Sequence, residues 1–157
     1  MNFRRRSYSS LTSSEVELNS KLLDLQVEQW HALDENGFIK DSNGSLLNKA
    51  AIYIYQSILD KEKIYIGSTY DLSNRFNQHR TLAISGSTAC PIFYNSVRKY
   101  GWNNFKLNIL KYIDLDPEVN TNINKEIILN REQYYLDIFL PMLGRMRLSC
   151  RFAELSM

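Results

Sequence analysis

The sequence has few cysteines, no long apolar run and no excess of charge of one sign. Its two cysteines, Cys90 and Cys150, lack the CxxC or Cys/His spacing of a structural zinc site, and two are too few for a scaffold held by several disulfides. Polar residues interrupt every apolar run well before the roughly 18 residues that indicate a membrane-spanning helix, so no membrane partner is expected. Lysine and arginine number 19 against 17 aspartates and glutamates, which gives only mild support for a polyanionic partner.

What is present is typical of one ordinary globular domain with extensions. The chain has 157 residues, of which 44% are apolar and 23% charged, and a chain of this length can bury a core without disulfides or metal ions. We predict three segments. Residues 1–50 form an N-terminal extension, residues 51–144 form the main domain, and residues 145–157 form a divergent basic tail.

The N-terminal extension has two parts. Residues 1–14 are rich in arginine and serine and contain no acidic residue, which is typical of an organellar transit peptide and equally of a frayed basic tail. Residues 15–33 carry leucines at helical spacing and predict an amphipathic helix. Turn dipeptides at residues 36–37 and 43–44 separate this helix from the main domain.

The main domain begins with two alternating segments, residues 51–55 and 63–67, that predict a β-hairpin. Isoleucines occupy one face of the hairpin and can point into a core. The other face, which we expect to be a tyrosine surface, carries Tyr53, Tyr55 and Tyr65. A third strand is predicted over residues 105–113. The predicted fold class is α+β: a small three-stranded antiparallel sheet flanked by helices, with a helical N-terminal extension.

Helices are predicted on both sides of the third strand. Asp71 can cap a helix over residues 72–79, in which one stripe packs while Arg75 and His79 occupy an adjacent stripe, four residues apart. A second helix is predicted over residues 92–100.

The last predicted helix covers residues 125–139. It stops before Pro141, because a proline disfavours helical backbone at the residue before it. Glu132 lies inside this helix, beside its apolar face.

Three of these side chains have the chemistry needed to cut a phosphodiester bond. The reaction needs a base for the attacking water, a cation to offset the charge of the transition state, and often a metal ion held by a carboxylate. Tyr65, Arg75 and Glu132 supply one of each. A purely structural explanation is also open for each residue, since strand tyrosines usually pack and helical charges usually face solvent. Composition and spacing alone leave the function open.

Five short motifs, in the expected order, resemble the GIY-YIG nuclease family. Residues 51–53 (Ala-Ile-Tyr) resemble the first signature, and residues 65–67 (Tyr-Ile-Gly) the second. The other three motifs are residues 71–76 around an arginine, residues 99–105 at a helix-to-strand junction, and residues 131–137 around a glutamate. An ordered set of this kind is far more specific than any one triplet. Within the family, the sequence is most similar to intron-encoded homing endonucleases of fungal mitochondria.

The resemblance implies a metal-dependent DNA endonuclease and assigns roles to five residues. Tyr65 would be the general base, Tyr53 would help to place phosphate or water, and Arg75 would stabilise the scissile phosphate. Glu132 would bind a single divalent ion, Mg²⁺ or Mn²⁺. His79 would transfer a proton or contact phosphate. No small-molecule cofactor is implied.

The sequence departs from the family pattern at both ends of the domain. Ala51 replaces the first signature glycine, which we expect an extended strand to tolerate. Gly144 stands where members carry an asparagine that supports the site, and residues 145–157 do not resemble the DNA-binding module of homing enzymes. We therefore expect weak, poorly specific DNA binding, with minor help from the arginines within residues 4–6 and 145–151.

Three functions compete at this point. The first is an endonuclease of intron mobility. The second is a catalytically degenerate remnant that binds nucleic acid or assists splicing in a maturase-like way. The third is a nuclear-encoded nuclease of repair or recombination that is imported with removal of residues 1–14. The first and third place the protein in the mitochondrion.

Overall fold

The computed structural model describes residues 13–27, 29–40 and 46–143. In these residues the chain forms four α-helices and four strands: α1 (Ser13–Asp24), β1 (His31–Ala32), β2 (Ala51–Ser57), β3 (Ile64–Thr69), α2 (Leu72–Ser85), α3 (Pro91–Tyr100), β4 (Phe105–Tyr112) and α4 (Thr121–Leu143). A 3₁₀ turn, Trp102–Asn104, joins α3 to β4. None of the helices in this part of the chain is long and apolar enough to cross a membrane. The α+β class is confirmed.

The sheet is antiparallel and has four strands rather than the predicted three, in the order β1–β4–β2–β3. The additional strand, His31–Ala32, pairs with β4 and covers an edge that would otherwise expose unpaired backbone groups. It lies where a helix was predicted, because α1 ends early. Val27 N donates to Leu22 O (2.9 Å) around Gln26, whose φ of 60° is left-handed. This is a Schellman stop with glutamine where glycine is usual, so the sequence carries no stop signal there.

In the hairpin of β2 and β3 the side chains divide between the two faces as predicted, but their exposure is not as predicted. Tyr55 pairs with Tyr65 and Ile54 pairs with Ile66, so tyrosines and isoleucines occupy opposite faces. All residues of both strands are buried, so the expected tyrosine surface is wrong. The physical reason is that helices cover both faces of this small sheet. Aromatic side chains of α2 and α3 pack on the tyrosine face, while α1 and α4 pack on the isoleucine face.

The N-terminal extension contributes to both cores. Leu18, Leu22 and Val27 are buried with the isoleucine face, and Leu33 is buried with the tyrosine face. The turn after β1 also packs closely, since a Cβ added at Gly37, where φ is +90°, would lie 3.0 Å from atoms of two side chains, Arg80 and Trp102. The extension is therefore an integral layer of the fold.

The observed helix boundaries confirm some of the boundaries predicted from local sequence and contradict others. Asp71 caps α2 as predicted, but the helix continues to Ser85 and ends at Gly86, whose φ is 79°. The second predicted helix is confirmed as α3. The prediction that the last helix stops before Pro141 is wrong, since α4 continues to Leu143. A proline in the final turn removes only one helical hydrogen bond, which a helix packed along its length tolerates.

Candidate active site

The junction between β3 and α2 determines where Arg75 and His79 lie. Thr69 Oγ1 accepts a hydrogen bond from Asp71 N (3.0 Å), and the Asp71 carboxylate accepts one from Asn74 N (3.1 Å). These bonds fix the first turn of α2 directly against the end of β3. Arg75 and His79 then lie one turn apart on the buried stripe of the helix.

His79 is the centre of a hydrogen-bonded chain. Its Nε2 lies 2.7 Å from the Tyr53 hydroxyl and its Nδ1 lies 2.8 Å from the Tyr94 hydroxyl. All three side chains are completely buried. A neutral imidazole donates from one nitrogen and accepts at the other, so both hydroxyls have a matching partner on the ring.

Tyr65 is held by ring packing beside this chain. Its ring stacks on Phe93 with centroids 4.4 Å apart and an interplanar angle of 2°. The Tyr65 centroid is 5.7 Å from that of His79 and 6.3 Å from that of Tyr53. Gly67, the cross-strand partner of Tyr53, adds no side chain to this face next to Tyr65.

Arg75 adds a permanent positive charge to the same cluster. Its side chain is only 3% exposed, and Nη1 donates to Gln78 Oε1 (2.8 Å). Burial lowers the pKa of the His79 imidazole, and the charge of Arg75 lowers it further. A guanidinium presents a planar fork of donors that matches two phosphate oxygens.

Glu132 contacts β3 from the isoleucine face of the sheet. It lies on the buried stripe of α4, is 1% exposed, and accepts a hydrogen bond at Oε1 from Ser68 Oγ (2.9 Å). Ser68 pairs with Ile52 and therefore points to the isoleucine face. β3 is an edge strand, so the two faces of the sheet adjoin along its free edge. Ser68 lies on this strand, three residues after Tyr65.

The structure thus brings four predicted site residues into one cluster on the tyrosine face and connects the fifth to the same strand through Ser68. The expectation that Arg75 and His79 occupy a stripe next to the packed one is wrong, because both lie on the packed stripe itself. So is the structural alternative in which the helical charges face solvent. The five side chains are between 0 and 3% exposed: Tyr53, Tyr65, Arg75, His79 and Glu132.

The oxygen donor at Glu132 fits magnesium. Mg²⁺ usually keeps several waters and is bound through one or two carboxylates together with substrate phosphate oxygens. One buried carboxylate, oriented by a serine hydroxyl, meets that requirement for Mg²⁺ or Mn²⁺. Within residues 13–27, 29–40 and 46–143, no group of three or more His, Cys, Asp and Glu side chains could hold a metal ion. A site there would be completed by phosphate and water.

Two residues of the site were missed from the sequence. Tyr94 has no motif around it, and only the packing of α3 on α2 brings it to His79. Ser68 directly follows the second signature, which was a usable signal. Ala51 lies in an extended strand, as expected. Gly144 and the arginines of both tails lie outside the described residues.

His79 makes the free energy of unfolding depend on pH. Burial, and then the charges of Arg75 and Arg80, hold the pKa of His79 well below its usual 6.5. As the pH falls from about 6.5, the unfolded chain binds the proton before the folded chain does. The stabilisation is therefore complete above about pH 6.5 and is lost as the pH falls towards the lower folded pKa. The groups facing the ring are Arg75, Arg80, Tyr53, Tyr55, Tyr65 and Tyr94.

Urea unfolding of the wild type at a series of pH values between about 8 and 5 measures this effect, with a limiting slope of about 1.4 kcal/mol per pH unit. The slope is expected to disappear in His79→Gln. It is expected to persist in the matched control His31→Gln, which removes the other histidine of the chain. A wild-type free energy of unfolding that stays constant down to about pH 5 would contradict a neutral, buried His79.

Comparison with known proteins gives the same assignment. The family model "GIY-YIG catalytic domain" matches residues 49–143. The putative MSV199 domain-containing protein 146R of Invertebrate iridescent virus 6 is 33% identical over 70 residues, which are 44% of this chain and 27% of that protein. The chain thus spans about a quarter of the length of this curated relative. The solved catalytic domain of homing endonuclease I-TevI is 22% identical, with a TM-score of 0.51 over 64% of this chain and 98% of that one. The chain belongs to the GIY-YIG catalytic domain family and has the fold of its DNA endonucleases.

Proposed function

We propose that this protein is a metal-dependent DNA endonuclease that hydrolyses phosphodiester bonds, and that its biological role is that of an intron-encoded homing enzyme. The observation that carries the proposal is the arrangement of five side chains around β3. Tyr53, Tyr65, Arg75 and His79 cluster on one face of the sheet. Glu132 is hydrogen-bonded to Ser68, which follows Tyr65 by three residues on β3. Buried ionisable groups gathered in this way are costly to the fold, and they are typical of catalytic sites.

Each residue of the cluster has a task in phosphodiester hydrolysis. Tyr65, as the phenolate, takes a proton from water, and the hydroxide so formed attacks phosphorus while the bond to the leaving oxygen breaks. A phenolate is favoured by a guanidinium in the same site, and Arg75, whose charge acts on His79, is the candidate for this role. The same guanidinium neutralises charge that develops on the non-bridging oxygens. The Tyr53 hydroxyl, held by His79, orients the phosphate.

Glu132 would hold the divalent ion. When bound, that ion supplies Lewis-acid stabilisation of the phosphoryl oxygens and of the leaving oxygen. Ser68 donates to this carboxylate and keeps it in one orientation, in which it would hold the ion.

The depth of the site favours a second candidate function. With the five side chains no more than 3% exposed, a phosphodiester reaches them only after the covering chain moves aside. A catalytically silent protein that binds nucleic acid, or assists splicing in a maturase-like way, needs no such movement. A DNA cleavage assay on the folded protein distinguishes the two functions, since only the endonuclease cuts DNA.

Two arginines within the described residues are engaged in contacts inside the fold, which supports our expectation of weak DNA binding. Arg98 donates from Nε to Ala83 O and from Nη2 to Ser87 O, both at 2.8 Å, and so ties α3 to the end of α2. The Arg80 guanidinium lies 4.0 Å from the centre of the Phe38 ring. Side chains engaged within the fold are less available to phosphates, which is why we expect low, salt-sensitive affinity.

A mitochondrial location, as an organelle-encoded or imported protein, is part of the proposal. Its support is the arginine- and serine-rich, acid-free composition of residues 1–14. The mature N-terminus of the native protein, determined by mass spectrometry, would distinguish the two origins, since import predicts that these residues are removed.

Tyr65→Phe tests the catalytic proposal with the least disturbance. The phenylalanine keeps the stacking on Phe93 but loses the hydroxyl, so cleavage of duplex DNA is expected to slow by about 10²–10⁴-fold while the fold is retained. The matched control is Tyr55→Phe, the same change at the cross-strand partner, which is expected to keep most of the activity. Full activity in Tyr65→Phe would remove this tyrosine from the mechanism.

A further inference from the structure

A third buried tyrosine belongs to the site. Tyr94 lies on α3, which carries none of the five site residues, and its hydroxyl is 2.8 Å from His79 Nδ1. The opposite nitrogen of the same ring is 2.7 Å from the Tyr53 hydroxyl. The three groups form a continuous hydrogen-bonded chain from the buried face of α3 to the tyrosine face of β2.

The direction of the hydrogen bonds in this chain follows from what Tyr53 must do. Phosphate oxygens only accept hydrogen bonds, so a hydroxyl that orients a phosphodiester must donate to it. A phenol has one proton, and Tyr53 cannot give that proton to phosphate and to His79 at once. Tyr53 must therefore accept at its oxygen from His79 Nε2–H. A neutral ring with the proton on Nε2 has an acceptor at Nδ1, which only a donor such as the Tyr94 hydroxyl satisfies.

We propose that Tyr94 is a positioning residue: by donating to His79 Nδ1 it holds the imidazole in the Nε2–H tautomer, so that Tyr53 accepts from the ring and keeps its own proton for the substrate phosphate. This inference rests on the proposed endonuclease function. No proton leaves the chain, since Tyr94 and Tyr53 stay phenols and the imidazole stays neutral.

The surroundings of the ring support a neutral imidazole. Burial and two neighbouring arginines lower the pKa of His79, and the imidazolium form, which would donate at both nitrogens, is disfavoured. The ring is also fixed in place, because it packs edge-on against Tyr65 and Phe93 at centroid distances of 5.7 and 5.6 Å. Only the position of its one proton is left for Tyr94 to determine.

The first test is spectroscopic and needs neither DNA nor activity. In ¹⁵N-labelled protein carrying His31→Gln, His79 is the only histidine, and long-range ¹H–¹⁵N correlation shows which ring nitrogen bears the proton. The expected result at neutral pH is a protonated Nε2 and an unprotonated Nδ1. With Tyr94→Phe added, the spectrum is expected to move towards a mixture of tautomers. A protonated Nδ1 in the protein that retains Tyr94, or an unchanged spectrum in Tyr94→Phe, would overturn the proposal.

The second test is kinetic. Under single-turnover conditions Tyr94→Phe is expected to slow cleavage by about tenfold with little change in the DNA concentration needed for half-saturation. In a His79→Gln background the same substitution is expected to have no further effect, because Tyr94 acts through the ring. The control is Tyr100→Phe on the same helix. Equal losses from Tyr94→Phe in both backgrounds would show a merely structural role.

The two tests separate failure of this inference from failure of the proposed function. A folded protein that shows the Nε2–H tautomer but cuts no DNA under any condition keeps the hydrogen-bond arrangement and loses the endonuclease. A protein that cuts DNA but carries the proton on Nδ1 keeps the endonuclease and loses the role assigned to Tyr94.

Discussion

Glu132→Gln is expected to abolish DNA cleavage while leaving the fold intact. Glutamine has nearly the same shape and can still accept from Ser68 Oγ, so packing on β3 is preserved. It removes the negative charge that would hold the divalent ion, and the loss of that stabilisation is expected to slow the reaction by at least about 10³-fold. Urea unfolding of the variant checks that the fold is retained.

The control for this prediction is Glu126→Gln, the same substitution at an exposed position of α4. It is expected to leave both cleavage and stability within error of the wild type. Ser68→Ala provides an intermediate case, because it frees the carboxylate to rotate without removing its charge; we expect about a tenfold loss. Cleavage by Glu132→Gln at the wild-type rate would show that this carboxylate does not serve the reaction.

Deletion of residues 1–48 is expected to destabilise the domain severely, even though the family match starts at residue 49. The deletion removes strand β1 and the leucines of α1 that pack on α4. It also removes the hydrogen bond from Lys21 Nζ to Ile138 O (2.5 Å). We expect the free energy of unfolding to fall by at least about 3 kcal/mol, a large part of the 5–15 kcal/mol that holds a domain together.

Chemical unfolding of two truncated proteins checks this prediction. Removing only residues 1–12 is the matched control, since the shortened protein keeps α1 and β1. Leu18→Ala in the full chain separates core packing from chain length, with an expected loss of about 2–5 kcal/mol. Equal midpoints for the full chain and the 49–157 protein would show that the extension is not part of the folding unit.

Much of the fold was predictable because its signals are local. The alternation of isoleucine and tyrosine predicted the hairpin and the residues that share each face, and Asp71 marked the start of α2. The fourth strand was not predictable, since it has only two residues and its stability comes from the edge of β4. The end of α1 was hidden for a different reason, because a glutamine occupies the left-handed position that usually shows as glycine.

The candidate site was predictable in its residues and not in its depth. The order of the motifs identified Tyr65, Arg75 and Glu132, but helical spacing placed Arg75 on a stripe next to the packed one and Glu132 only beside an apolar face. Burial depends on which helices cover which face of the sheet, and this is a property of tertiary packing that one sequence does not encode locally. Tyr94 shows the same limit, since its relation to His79 exists only across two packed helices.

The most direct test of the central claim is strand cleavage of a supercoiled plasmid by the full chain, with Mg²⁺ and then with excess EDTA, alongside Glu132→Gln. We expect conversion to nicked or linear DNA by the wild type with Mg²⁺, none with EDTA, and none by the variant in either condition. A folded wild-type protein that cuts nothing with Mg²⁺ or Mn²⁺, or that cuts equally well in EDTA, would contradict it.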